Sequence, residues 1–93
     1  MSTNVVDTPS YIVRKNDKFI EVNYTTTGDC IIIIPNDQIK LGRQLEISDT
    51  GSNADIYHIY VYDDESNLLF IINENNHSIS IKANIDENSW YVY

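Results

Sequence analysis

Asp49-Thr50-Gly51-Ser52 is the sharpest chemical pattern in this chain. An aspartate in that setting is the half-site of a retroviral-type aspartic protease. There, two identical short chains each supply one carboxylate, and the pair shares a proton because charges that close do not both ionise cheaply. The surrounding sequence opposes this chemistry. Asp49 follows Ser48 and lies midway along the chain, no glycine follows Gly51 to build a flap, and no later apolar-apolar-Gly segment is present. The single Gly-Arg pair, Gly42-Arg43, precedes the aspartate rather than following it. The competing reading is a strand-ending turn, in which the Asp side chain accepts nearby backbone N–H groups.

Other donors carry a similar pair of readings. Asp49, Gly51, Asn53 and Asp55 alternate as in a calcium loop, but the EF-hand pattern needs Gly at its sixth position and Glu at its twelfth, where this chain has Ala54 and Tyr60. Asp63, Asp64 and Glu65 offer a looser surface cluster that reads equally well as a solvated turn. His58 and His77 are too few and too far apart in sequence to suggest a transition-metal site. Cys30 could meet a histidine only through the fold, and its position before Ile31 suits a small buried side chain. There is no phosphate loop and no dinucleotide fingerprint, so no catalytic residue, metal or cofactor is assigned.

Tyr57, Tyr60, Tyr62, Trp90, Tyr91 and Tyr93 are the remaining candidates. Strand alternation divides them between two faces, so they cannot all be core. Exposed Tyr and Trp are typical of protein–protein interfaces and can also serve as platforms for a glycan.

The elements that must position these groups are short and extended. β-Branched and aromatic residues are plentiful, whereas Ala54 and Ala83 are the only alanines, a composition that fits pleated, half-buried surfaces. Strands are predicted over residues 11–14, 18–24, 30–34, 44–48, 56–62, 68–73, 78–85 and 90–93, separated by Asn-, Asp- and Gly-bearing turns. This regular spacing predicts an all-β domain, a single small antiparallel β-sandwich or barrel-like unit of about eight strands. Met1 to Ser10 is polar, carries Pro9 and lacks periodicity, so residues 1–10 are expected to form a flexible arm and residues 11–93 the folded module. Ile79, Ile81, Ala83 and Ile85 alternate with polar neighbours, as a sheet with one wet face requires. Ile31–Ile34 and Leu68–Ile72 do not alternate, so both faces of those strands need cover, from the other sheet or from a neighbouring subunit.

The chain has 93 residues and a formal net charge of -8, with six basic residues against fourteen acidic ones. A domain this small buries little more than half of its unfolded surface, which favours association. Phosphate backbones are bound through Lys and Arg, and anionic membrane surfaces likewise, so neither nucleic acid nor membrane is an expected partner. Cys30 is alone and permits no internal disulfide, consistent with a reducing compartment during assembly. The first ten residues have neither the basic start nor the apolar core of a signal peptide.

A longer pattern runs from Tyr11 to the end. Tyr11-Ile12-Val13 and Asp17 lead into Phe19-Ile20-Glu21-Val22. An alternating strand closes on Ile34-Pro35, Gly42-Arg43 opens Gln44-Leu45-Glu46-Ile47, and a turn with Asp49, Gly51, Asn53 and Ala54 follows. Ile59 to Val61 and the aromatic Ser89-Trp90-Tyr91-Val92 complete it. In this order the chain resembles small β-structured modules of tailed-bacteriophage and related viral structural proteins, of tail-fibre, head-fibre or capsid-decoration type. It departs from that pattern after Asp63, where Asn and acidic residues replace Gly and Ser, and at Glu87-Asn88-Ser89, where Asp-Gly is usual. The resemblance implies a non-enzymatic virion component, assembled in the host cytoplasm, often trimeric, and in contact with other capsid or tail proteins. Two other readings stand beside it: a receptor- or glycan-binding tip domain using Trp90 and the exposed tyrosines, and a homodimeric aspartic protease using Asp49-Thr50-Gly51.

Overall fold

The computed structural model describes residues 3–93. Among them are nine strands and no α-helix: β1 (Thr3–Val6), β2 (Ser10–Ile12), β3 (Phe19–Val22), β4 (Cys30–Ile34), β5 (Gln44–Asp49), β6 (Ile59–Asp63), β7 (Leu68–Ile72), β8 (Ser78–Asn84) and β9 (Ser89–Val92). Single 3-10 turns occupy Tyr24–Thr26 and Asn36–Gln38. The eight expected strands are all present, and Cys30–Ile34 has the expected bounds.

The strands form a five-stranded sheet in the order β1-β3-β5-β8-β9 and a four-stranded sheet in the order β2-β4-β6-β7. The first six strands alternate between the sheets, so the chain winds round the core and each strand pairs with the one laid down a full turn earlier. That pairing is parallel for β1 with β3, β3 with β5, β2 with β4 and β4 with β6. The last three strands reverse it: β7 returns along β6, β8 along β5, and β9 along β8, all antiparallel. The antiparallel sandwich expected from the sequence is thus corrected to a pair of mixed sheets, and neither closes into a barrel. A parallel neighbour cannot be reached by a tight hairpin and needs a longer crossing. Here the crossing is the excursion through the opposite sheet.

Of the expected flexible arm over residues 1–10, the described residues 3–10 belong to the sheets instead, as β1, the start of β2 and the link between them. Thr3–Val6 pairs in register with Phe19–Val22, Val6 is buried, and the amide of Asn23 donates to the Val6 carbonyl at 2.9 Å. Met1 and Ser2 lie outside the described residues.

The core lies between the sheets. Ile20, Val22, Leu45, Ile47, Ile79, Ile81 and Trp90 descend from one, and Cys30, Ile32, Ile34, Ile59, Val61 and Ile72 from the other. Alternation puts every second side chain there, and each fully buried isoleucine contributes about 1.5–3 kcal/mol by removal from water.

Candidate protein–protein interface

The two sheets turn very different faces outward. On the five-stranded sheet, Glu21, Gln44, Glu46, Ser48, Ser78, Ser80 and Lys82 alternate with the buried residues and make a charged and polar surface, with Val5, Phe19 and Tyr91 exposed among them. On the four-stranded sheet the register sets Ser10 beside Ile31, Ile31 beside Tyr60 and Tyr60 beside Ile71, and in the next row Ile12 beside Ile33, Ile33 beside Tyr62 and Tyr62 beside Leu68. These two rows contain no charged side chain. Ile12 is 61% exposed, Leu68 49% and Ile31 40%.

Four strands at ordinary spacing and five residues of strand length give this face about 300 Å² in projection, and contiguous apolar patches of that size are often functional. A depression of about 580 Å³ lies at one end of it, lined by Ile31, Ile33, Tyr62, Asp63, Asp64 and Ser66. The acidic rim beside it is fixed by Asp63, whose Oδ1 accepts from the amides of Glu65 and Asn67 at 2.9 Å each and whose Oδ2 accepts from the Asn67 side chain. Burial pushes the Asp63 carboxyl up, but the bonds from the Asn67 side chain and from the two amides outweigh it and hold the group below the usual range.

The six aromatic candidates do not share one surface. Tyr60 and Tyr62 stand on the apolar face just described. Tyr57 lies in the loop before β6. Tyr91 projects from the five-stranded sheet, and Tyr93 follows it, exchanging backbone hydrogen bonds with Ser80 at 2.8 Å. Trp90, expected at an interface or a sugar platform, is 7% exposed and belongs to the core. Ile12, Ile31, Ile33, Leu68 and Ile71 of this face are not among the site residues the sequence points to. For all but Ile12 the signal is the failure of Ile31–Ile34 and Leu68–Ile72 to alternate, which places surplus apolar side chains without saying that they gather on one sheet.

Asp49 is a buried structural carboxylate. Its Oδ1 accepts from the Thr25 hydroxyl at 2.5 Å, and its Oδ2 from the amides of Ala54 at 3.0 Å and Asn76 at 3.2 Å. The carboxylate therefore ties three loops together at one end of the sandwich. Gly51 is required by the same packing: a Cβ there would collide with Thr25 Oγ1 and come within 2.9 Å of the Asn23 carbonyl oxygen. Cys30 is buried, its Sγ donates to the Thr8 carbonyl at 3.4 Å, and burial pushes the thiol up to about 11, the opposite of an activated nucleophile. Among the described residues no three His, Cys, Asp or Glu side chains converge to hold a metal ion.

No protein-family model matches the chain, and no curated protein matches it either.

Proposed function

We propose that this chain is a non-enzymatic assembly module of a viral particle, of capsid-decoration or fibre type, and that it self-associates through the outer face of the β2-β4-β6-β7 sheet. The observation that carries the reading is that uncharged face. Ile12, Ile31 and Leu68 are exposed there, with Ile33, Tyr60, Tyr62 and Ile71 half-buried between them, on a chain whose net charge is -8. Because the rows carry no charge, a second copy can cover them without setting carboxylate against carboxylate. Tyr60 and Tyr62 supply the amphipathic aromatic area that interface centres favour. The particle context comes from the resemblance of Tyr11–Tyr93 to phage structural modules, and with it a trimer around a shared axis, in contact with other capsid or tail proteins.

The test is the solution mass of the purified protein. Sedimentation equilibrium should give a multiple of 10.7 kDa, three-fold for the trimer. Changing Ile12→Lys and Ile31→Lys together, both exposed, should give a folded monomer with an unaltered circular-dichroism spectrum. Wild-type protein that stays monomeric at concentrations of about 100 μM, far above the Kd of an ordinary stable interface, overturns the self-association. Its absence from purified particles overturns the context.

A further inference from the structure

The molecule's positive charge is gathered in one place. Of the six basic residues, Lys15, Lys18, Lys40 and Arg43 line a single cavity of about 780 Å³. A fifth, Lys82, pairs with Gln44 on its floor, and Arg43 donates to the main-chain carbonyl of the sixth, Arg14. None of these cations is within 4 Å of a carboxylate: among the described residues the one ion pair is His77 with Glu74. In a chain with fourteen acidic residues, four cations round a cavity that holds two carboxylates, Asp37 and Glu46, and none of them in an ion pair, are available to an external anion.

The cavity is built from sequence-distant parts. Its floor is the outer face of the five-stranded sheet, where Phe19, Glu46 and Ser80 lie in one row and Gln44 in the next. Its walls are the β2–β3 loop, with Lys15 and Lys18, and the β4–β5 loop, with Asp37, Lys40 and Leu41. Arg43 locks the walls together. One terminal nitrogen donates to the Asp17 carbonyl at 2.5 Å, the other to the Arg14 carbonyl at 3.0 Å and to Gln38 Oε1 at 2.8 Å. Gln38 in turn donates to the Val13 carbonyl at 2.8 Å. Arg43 is thus framework, and the three lysines are the groups left to meet a ligand. Preorganisation of this kind lowers the ordering cost of binding.

We infer that this cavity binds an acidic sugar, a polyhydroxylated ring carrying one or two carboxylate or sulfate groups. The volume is that of a small-molecule site. Lys15, Lys18 and Lys40 answer the anionic group. Asp37, Gln44, Glu46 and Ser80 accept from or donate to hydroxyls. Phe19, 36% exposed, offers a flat apolar face to a ring. The two carboxylates in the lining and the overall charge of -8 oppose long polyanions, which separates this ligand class from nucleic acid. The cavity lies on the opposite sheet from the proposed assembly face, so the inference goes beyond that reading and does not depend on it.

Amide NMR titration of the full chain tests it, with glucuronic acid and N-acetylneuraminic acid as probes and glucose, sodium sulfate and an oligoglutamate peptide as comparators. At least one acidic sugar should shift the amides of Lys15–Phe19 and Lys40–Glu46, and glucose should do so far more weakly. Lys18→Ala and Lys40→Ala, exposed changes that leave the fold intact, should each weaken binding about tenfold, the scale of one charge-assisted hydrogen bond. Binding should also fall in about 0.5 M salt, where screening reaches a few ångströms. Sulfate matching the sugars at equal concentration overturns the inference, as does glutamate peptide binding in their place. Silence of these amides toward both sugars overturns it, and so does affinity that survives both lysine changes.

Discussion

The Tyr11 hydroxyl donates to Asp17 Oδ2 at 2.5 Å, and the Asn4 side-chain amide reaches both groups. Asp17 Oδ2 also accepts from the Arg14 amide at 2.8 Å, closing the loop that carries the basic wall. Burial, reinforced by the neighbouring Asp17 carboxylate, pushes the Tyr11 phenol from 10.0 up to about 12. Cys30 behaves alike for a simpler reason, since burial alone moves its thiol from 9.0 to about 11. Both groups ionise later in the folded chain than in the unfolded one. The unfolded state therefore releases its protons first, and the stability these groups contribute is complete below the unfolded values and lost as pH rises through the folded ones. Urea midpoints measured across the alkaline range should hold until roughly pH 9 and then fall to about pH 12. Cys30→Ala should remove the lower part of that fall and Tyr11→Phe the upper part. A midpoint flat to pH 12 in the wild type would contradict both placements.

At the scale of elements, the turns matter as much as the strands. The Asp49–Ala54 loop is closed by a buried carboxylate with three donors, and Gly51 lies where no side chain fits. Gly51→Ala should destabilise by about 2–4 kcal/mol, because the clash is partly with backbone that cannot step aside. Gly42→Ala has open space around the new methyl and suffers only from the positive φ of 81° at that residue, a cost of about 1 kcal/mol. Urea unfolding of the two variants should separate them in that order, and the reverse order would contradict the packing. The same elements explain what the sequence could and could not disclose. Strand positions were legible because Leu45 and Ile47, or Ile79 and Ile81, alternate with polar neighbours, and pairing partners do not change that pattern. The partners were not legible. Asn, Asp and Gly mark a hairpin such as Asp63–Asn67 and a sheet-to-sheet crossing such as Thr27–Asp29 with the same residue types. β1 is not legible because Thr3-Asn4-Val5-Val6 is short and half polar, its identity set by Val22 and Ile20 beside it rather than by its own sequence. The candidate face was half legible: the non-alternating runs foretold surplus apolar side chains, whereas their convergence is a property of the winding.

For the whole molecule the winding has one decisive consequence. In an antiparallel meander an end strand can be peeled away with few losses, but here each turn of chain is seated on the one before it, and β1 belongs to the first. It forms an edge of the five-stranded sheet, and it brings Val6 into the core and the Thr8 carbonyl to Cys30 Sγ. Asn4 at its centre also supports the Tyr11–Asp17 pair. Removing residues 1–6 would expose the β3 edge, uncover Ile20 and Val22, and leave that polar cluster short of a donor. A flexible tether predicts no change in stability from this truncation. The wound sandwich predicts a loss of about 3 kcal/mol or more, the combined scale of one buried valine, an edge ladder and a broken polar contact. For a domain of this size such a loss lowers the melting temperature by more than about 10 °C. Thermal unfolding of the truncated and complete chains at equal concentration decides between the two. An unchanged melting temperature would mean that β1 contributes nothing to the sheet. A large drop would mean that any assembly role of this segment must be tested by point changes at exposed Val5, since truncation would confound anchoring with folding.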